Sequence, residues 1–295
     1  MAELALSASV APPSRWRAAL ARGGARLWLG AAIVMLLVLV ALLAPWLAPH
    51  DPIEQDLLSA QLPPAFMQGG DVAFPLGTDS LGRCVLSRLM FSARTALAVA
   101  LIAALLAALI GIALGLIAGA LGGWIDQIVS RLIDIWMAFP PVLLSIVLAA
   151  VIGAGLTSVI AAIVVVDWTR FARVIRAETM AQLGRDYASA ARVLGLSRVQ
   201  MLRLEILPNL VPLIVTLLSV EMGIAILVEV ILSFVGISVA GDTPSWGGMI
   251  TEGRQIVYQA PWIMALPIMC VISSVTGFNL LGDGLRASLD PVQRR

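Results

Sequence analysis

The feature that most constrains the fold of this chain is a series of long apolar runs that charged residues rarely interrupt. A helix needs about 20 mostly apolar residues to cross a bilayer. Six apolar runs are candidates for such helices. The fourth run is short, and we expect its helix to continue through Asp167 toward Arg173. Continuous apolar character, rather than strict alternation, predicts helices and excludes a β-barrel. With ends defined to within several residues, the predicted spans are 27–47, 95–118, 133–152, 156–168, 210–234 and 262–281.

The overall composition supports a membrane protein. Of the 295 residues, 60% are hydrophobic and 13% are charged, whereas soluble domains have about 45–50% apolar and about 25% charged residues. A soluble fold of this size could not bury so much apolar surface, because burial is limited by the ratio of surface to volume. We therefore predict an all-α polytopic membrane protein with six transmembrane helices.

Residue types that are absent or rare exclude several functions. All 19 basic residues are Arg, so the chain has no Lys for a Walker A phosphate loop or a Schiff base. A net charge of +1 gives no reason to expect nucleic acid. His50, Cys84 and Cys270 do not have metal-ligand spacing, and no disulfide is expected because the two Cys lie at different predicted depths. The run 27–47 exceeds the signal-peptide core of about 7–15 residues, which predicts an uncleaved first span.

The distribution of Arg predicts the orientation in the membrane, because cytoplasmic segments are enriched in basic residues. With a cytoplasmic N-terminus, six spans return the C-terminus to the cytoplasm. The outer segments then hold Arg83, Arg88, Arg94 and Arg254, and the inner segments hold the other fifteen Arg. We therefore predict that both termini are cytoplasmic.

A polar, Arg-rich segment, 170–205, lies between the fourth and fifth spans and is built of good helix formers. Gly195 can adopt a left-handed conformation that ends a helix. Ser197 can cap the next helix, which runs until Pro208 at the start of the fifth span. We therefore predict two short cytoplasmic helices joined by a glycine turn. The first is predicted to be amphipathic, because Tyr187, Ala190, Ala191 and Leu194 recur at spacings of three and four residues.

Two interpretations of this helix pair stand side by side. The small side chains of Ala190 and Ala191 would let the surface of a partner protein come close. Alternatively, the pair lies among the lipid headgroups, held by Arg and apolar contacts. Helix propensity and periodicity favour neither interpretation over the other.

The sequence of this helix pair resembles a known element. Residues 186–195, DYASAARVLG, followed by ILPN at 206–209, resemble the EAA loop of ABC importer permeases. The resemblance implies that this loop docks into a groove of the ATP-binding subunit. Ser189 stands where the family has Glu, so the contact of that Glu is not carried over. The matching positions are Asp186, Ala190, Ala191, Gly195 and Pro208.

Further motifs extend the resemblance to most of the chain. Residues 76–83, LGTDSLGR, look like the LGTDxLGRD element of the dipeptide, oligopeptide and nickel permease group, although Cys84 replaces its final Asp. In order and spacing the set is specific, and it resembles the second, shorter permease of the heterodimeric pair. The other matching segments are AFP at 138–140, LSFVG at 232–236, PSWG at 244–247, NLLGDGLR at 279–286 and LDP at 289–291.

The resemblance implies a non-catalytic permease subunit in the bacterial inner membrane. Its implied partners are a second homologous permease, one or two ATP-binding subunits that carry ATP and Mg, an external substrate-binding protein and membrane lipid. No cofactor is expected on this chain. The implied division is a cytoplasmic segment 1–26, the first span 27–47, a periplasmic loop 48–94, the permease core 95–285 with the EAA-like loop at 186–208, and a cytoplasmic tail 286–295.

Two carboxylates and three glycines in the spans also suggest roles. Glu221 and Glu229 lie in the fifth span, where charge is costly, about 80° apart around the helix. They either line the translocation path or its gate, or form hydrogen bonds to another helix or to the partner permease.

In the second span, Gly111, Gly115 and Gly119 are spaced by four residues, a pattern that predicts close packing against another helix.

Two alternative functions fit the sequence less well than the permease. A proton-coupled secondary transporter would use Glu221 and Glu229 as carriers, but the chain shows no clear internal repeat, and the Arg-rich helix pair would have no purpose. An intramembrane enzyme would need a nucleophile with a base, or a metal cluster, and His50 has no suitable neighbours in sequence. Dipeptides, oligopeptides, nickel, glutathione and related solutes all stay open as substrates.

Overall fold

The computed structural model describes residues 24–237 and 243–289. The predicted cytoplasmic segment 1–26 and tail 286–295 lie largely outside these ranges. The prediction of an all-α fold is confirmed, since β structure in the described ranges is limited to an isolated bridge between Thr78 and Cys84. The helices of this part are α1 (Gly24–Leu47), α2 (Val85–Leu121), α3 (Gly123–Met137), α4 (Pro141–Ile152), α5 (Leu156–Leu183), α6 (Asp186–Val193), α7 (Arg198–Met201), α8 (Leu207–Phe234), α9 (Trp246–Gln255) and α10 (Pro261–Leu289).

Four helical runs in the described part are long and apolar enough to cross a membrane: α1, α2, α10 and the continuous run 198–234 that contains α7 and α8. The number becomes five if α3 and α4 form one broken span. These runs confirm a polytopic membrane protein. The count of six spans and the cytoplasmic placement of the termini stay predictions.

The third predicted span, 133–152, is wrong as a continuous helix. The chain bends by 87° between α3 and α4. The bend falls at Phe139, Pro140 and Pro141, because proline removes a backbone donor and disfavours the helical conformation in the residue before it. The fourth predicted run does continue past Arg173, since α5 ends at Leu183.

The second predicted span starts earlier than its apolar run. Helix α2 begins at Val85, ten residues before the predicted start at Thr95. The first turns hold Arg88, whose side chain is only 5% exposed and pairs with carboxylates. Because this buried charge is compensated, the helix extends beyond the apolar run.

The glycine ridge of α2 packs against α5, as the spacing predicts. A Cβ added at Gly111 would lie 2.4 Å from the Cβ of Phe171. A Cβ at Gly115 would lie 2.8 Å from the carbonyl oxygen of Ala172, and one at Gly119 would lie 2.8 Å from the Cβ of Thr179. The two backbones therefore approach so closely that α2 and α5 form the central helix pair of the bundle.

The outer surface of the bundle is strongly apolar. In the most apolar stretches of these four long runs, only 28% to 39% of the residues are buried within the chain. Leu36, Leu109 and Val151 are among the large side chains that are more than half exposed. Because water would disfavour such a surface, it must face lipid or other membrane subunits.

Candidate coupling site and buried charges

Helix α6 forms the first half of the predicted cytoplasmic pair. It begins at Asp186, whose negative charge is favourable in the first turn of a helix. At its end Gly195 has φ +82°, and the amide of Leu196 donates to the carbonyl of Ala191 over 3.1 Å. The predicted glycine turn is confirmed, because only this left-handed residue lets the chain reverse so tightly.

The second half begins with a complete capping box. The Gln200 amide donates to Ser197 Oγ over 3.3 Å, and the Ser197 amide donates to Gln200 Oε1 over 2.9 Å. Helix α7 then continues through a π turn, Leu202–Ile206, into α8. Pro208 lies in the first turn of α8 and does not interrupt it, because a proline there gives up a donor without breaking the helix.

One face of α6 is fixed against the membrane helices. Ala188 is fully buried and Ala191 is 6% exposed, and Ala188 shares a core with Ile175 of α5 and Leu210 of α8. The hydroxyl of Tyr187 donates to Gln182 Oε1 over 2.7 Å. Partial burial raises the pKa of this hydroxyl above its ordinary value.

The opposite face of α6 is open. Ala190, Val193 and Leu194 are exposed, the last two by 89% and 79%; we call these three residues the coupling face. The predicted stripe is therefore divided: Ala190 and Leu194 lie on the open side, whereas Ala191, which was expected to let a partner come close, is buried with Ala188 on the side of the bundle. Asp186 and Ser189 are also exposed. The site thus offers a small apolar surface on a helix whose back is rigidly held.

Glu221 takes part in a buried charge cluster between α5 and α8. Its Oε2 lies 3.3 Å from Arg170 Nη1, and Arg170 Nη2 lies 3.4 Å from Asp167 Oδ1. The side chains of Glu221 and Asp167 are 3% and 4% exposed, and that of Arg170 is 34% exposed. Two carboxylates therefore share one guanidinium inside the bundle, where a buried charge needs such a partner.

Glu229 lies in a different environment. It is 1% exposed, and its Oε1 accepts a hydrogen bond of 2.7 Å from Ser233 Oγ. Ser233 Oγ is in turn 3.4 Å from the Oγ of Ser245, the N-cap of α9. The structure thus places Glu221 against α5 and Glu229 toward α9, and does not bring the two carboxylates together.

A cluster of ion pairs at the opposite end of the bundle was missed by sequence reasoning. Arg83 Nε lies 2.7 Å from Asp79 Oδ2, and Arg83 Nη2 lies 2.7 Å from Glu252 Oε2. Arg88 pairs with Asp79 and, over 2.6 Å, with Glu252 Oε2. Asp79 is fully buried and also accepts the amides of Leu81 and Arg83. We call Asp79, Arg83, Arg88 and Glu252 the outer ion-pair cluster.

This cluster ties the segment before α2 to α9. The spacing of Asp79 and Arg83 by four residues is visible in the motif at 76–83 and could have suggested a local pair. Glu252 is separated from Arg88 by 164 residues, so only the fold brings them together. Cys84, beside the cluster, is a buried free thiol, and Cys270 is a half-buried free thiol.

Apolar helical runs long enough to cross a bilayer, together with charges that are paired where they are buried between helices, define a helical membrane protein of several spans. The sequence matches the profile of the binding-protein-dependent transport system inner membrane component over residues 111–295. Residues 26–64 match the N-terminal transmembrane domain of oligopeptide transport permease C. The chain belongs to the family of inner membrane components of binding-protein-dependent transport systems. The predicted function, a permease subunit of an ABC importer, is confirmed.

Several named permeases are similar over most of their length. The dipeptide transport system permease protein DppC of Escherichia coli K12 is 42% identical over 263 residues, which cover 89% of this chain and 87% of the relative. The di/tripeptide permease DppC of Pseudomonas aeruginosa is 38% identical over 262 residues, with coverage of 89% and 86%. The glutathione permease GsiD of Escherichia coli O6:K15:H31 is 37% identical over 264 residues, with coverage of 88% and 84%. These comparisons give no support to the secondary transporter.

Proposed function

We propose that this chain moves dipeptides across the bacterial inner membrane as one permease of a heterodimeric pair. The similarity to dipeptide permeases carries the assignment of substrate. The second permease, one or two ATPase subunits that bind ATP and Mg, and an external binding protein complete the proposed complex. This chain contributes no catalytic residue, and ATP is hydrolysed on the partner chains.

The open coupling face supports the proposed link to the ATPase. A partner groove that receives Ala190, Val193 and Leu194 would cover apolar surface on a helix that is packed against α5 and α8. ATP binding that favours one arrangement of the ATPase pair would then shift the bundle between two discrete states. Ser189, one position before the coupling face, is shorter than the family's Glu and would leave the partner's polar contact to other residues.

The six-span topology with cytoplasmic termini also belongs to this proposal. In it, α3 and α4 together form the bent third span, and α5 forms the fourth. The pairing of Asp167 and Arg170 with Glu221 supports a transmembrane α5, because paired charges are tolerated at depth. A place for Glu221 and Glu229 in the translocation path stays a prediction. It is tested by measuring uptake in Glu221→Gln and Glu229→Gln variants that assemble normally.

The proposed substrate is tested with the assembled transporter in proteoliposomes that contain ATP. We expect uptake of a radiolabelled dipeptide that requires ATP and the binding protein. An excess of glutathione should not reduce this uptake. Uptake of glutathione but not of dipeptides would overturn the substrate assignment and leave the family assignment intact.

The coupling face is tested by the substitution Ala190→Arg. Because Ala190 is exposed, the chain should fold normally, while a long charged side chain would prevent close docking. We expect capture of the ATPase subunit to fall at least about tenfold, because a clash that costs about 1.4 kcal/mol is enough to change a binding equilibrium tenfold. Co-purification of the complex measures this effect.

The control for this experiment is Gln127→Arg on α3, which adds the same charge at another exposed position. It should leave ATPase capture unchanged. If Ala190→Arg retains normal capture and normal uptake, the helix pair is an interfacial element among lipid headgroups, where an added Arg is tolerated, and the coupling proposal fails.

A further inference from the structure

An apolar groove on the membrane surface of the bundle ends at a lone cation. The groove has a volume of about 620 Å³. It is formed mainly by α1 and α2, and α5, α8 and α10 each contribute one residue. Its walls include Val38, Leu42, Leu101 and Phe278, and Arg94 lies at its rim. The size falls in the range of about 300–1,000 Å³ that is usual for small-molecule sites.

The depth of Arg94 follows from the two exposed Trp residues of α1. Trp28 and Trp46 are 61% and 78% exposed, and at 1.5 Å per residue they are about 27 Å apart along the helix. This distance matches a hydrocarbon core of about 30 Å, and exposed Trp marks its two boundaries. Leu42, one turn from Trp46, lines the groove with Arg94. Arg94 therefore starts about one turn inside the boundary near Trp46 and can extend its head group to it.

The charge of Arg94 is not compensated within the described part of the chain. Its guanidinium lies 5.7 Å from the ring centroid of Phe91, and no carboxylate of the described residues forms an ion pair with it. The neighbouring Arg of α2 and those of α5 differ in this respect: Arg88, Arg170, Arg173 and Arg176 each pair with a carboxylate. A cation that lies close to the membrane boundary and has no carboxylate partner favours an anion from outside the chain.

We propose that this groove binds one anionic phospholipid of the leaflet near Trp46. The phosphate group of the lipid pairs with the guanidinium of Arg94, because a guanidinium can donate two parallel hydrogen bonds to phosphate oxygens. One acyl chain lies along Val38, Leu42 and Leu101 and reaches Phe278. An anionic lipid is preferred to a zwitterionic one, whose own ammonium group would compete for the phosphate. This site is separate from the coupling face and does not depend on the identity of the transported solute.

The proposal is tested with the assembled transporter in nanodiscs of phosphatidylcholine that contain a minor fraction of phosphatidylglycerol. Native mass spectrometry of the transporter after its release from the nanodiscs measures how much phosphatidylglycerol stays bound to it. Arg94→Gln should lower its retention about fivefold, since a basic residue contributes about 1 kcal/mol at an anionic lipid surface. Ala98→Phe, which fills the groove without removing the charge, should lower it as well.

The matched control is Arg254→Gln. Arg254 is also exposed and also lies over an aromatic ring, 4.9 Å from the centroid of Phe234, but it does not line the groove. It should retain phosphatidylglycerol at the wild-type level. Equal retention in Arg94→Gln and wild type would overturn the proposal. So would a photoactivatable residue at Leu97 that crosslinks to the second permease rather than to phosphatidylglycerol.

Discussion

Gly111→Leu is expected to prevent the bundle from folding. The Cβ alone would lie 2.4 Å from both the Cβ of Phe171 and the carbonyl oxygen of Trp168. The backbone oxygen cannot move without separating α2 from α5. We expect a loss of at least about 3 kcal/mol in the free energy of unfolding, which is the upper end for overpacked cores.

The measurement for Gly111→Leu is size-exclusion chromatography of the detergent-solubilised protein. The variant should lose the symmetrical peak of the folded chain. Gly184→Ala is the control, because its Cβ would meet the nearest atom, the Ala181 carbonyl oxygen, at an ordinary 3.5 Å. A monodisperse Gly111→Leu variant with normal uptake would contradict the close contact of α2 and α5.

Arg88→Ala is expected to have the second large effect, through the outer ion-pair cluster. The substitution leaves the fully buried Asp79 with one cationic partner instead of two and removes the closest partner of Glu252. Removing one member of a buried ion pair costs about 3–5 kcal/mol when the other charge is left uncompensated, and Arg83, the cation that Asp79 keeps, should bring the loss toward the lower end of that range. We expect a lower midpoint of thermal unfolding and a loss of order in α9.

Two comparisons make the Arg88 prediction specific. Glu252→Gln should destabilise less than Arg88→Ala, because the Glu252 side chain is 36% exposed and can be solvated. Arg254→Ala, two residues further along α9, should leave the unfolding midpoint close to that of the wild type. An Arg88→Ala variant as stable as Arg254→Ala would show that the cluster does not hold α9 in place.

Local signals in the sequence predicted local structure well. Gly195 and Ser197 predicted a turn and a cap because each acts on its own backbone or on an amide three residues away. The spacing of Gly111, Gly115 and Gly119 predicted a close helix contact, although it could not name α5 as the partner. The break near Pro140 was visible in the sequence, yet the apolar run around it favoured a continuous span.

Features that depend on the fold were not predictable. The pairing of Glu252 with Arg88 joins residues that are far apart in sequence, and the cluster of Glu221 with Arg170 joins two different helices. The open side of α6 also depended on its neighbours, since α5 and α8 pack against Ala188 and so fix which side of the helix is buried. Periodicity defines a stripe on a helix, but tertiary packing decides which stripe faces inward.

The uninterrupted helix from Arg198 to Phe234 has a mechanical consequence. Its 37 residues form a rod of about 55 Å at 1.5 Å per residue, which joins the capping box beside α6 to the opposite end of the bundle. A tilt imposed at one end must therefore appear at the other, with Glu221 and Glu229 carried along. The π turn at Leu202–Ile206 and the interior proline Pro212 are the places where this rod bends most easily, because each interrupts the regular backbone hydrogen bonds of the helix.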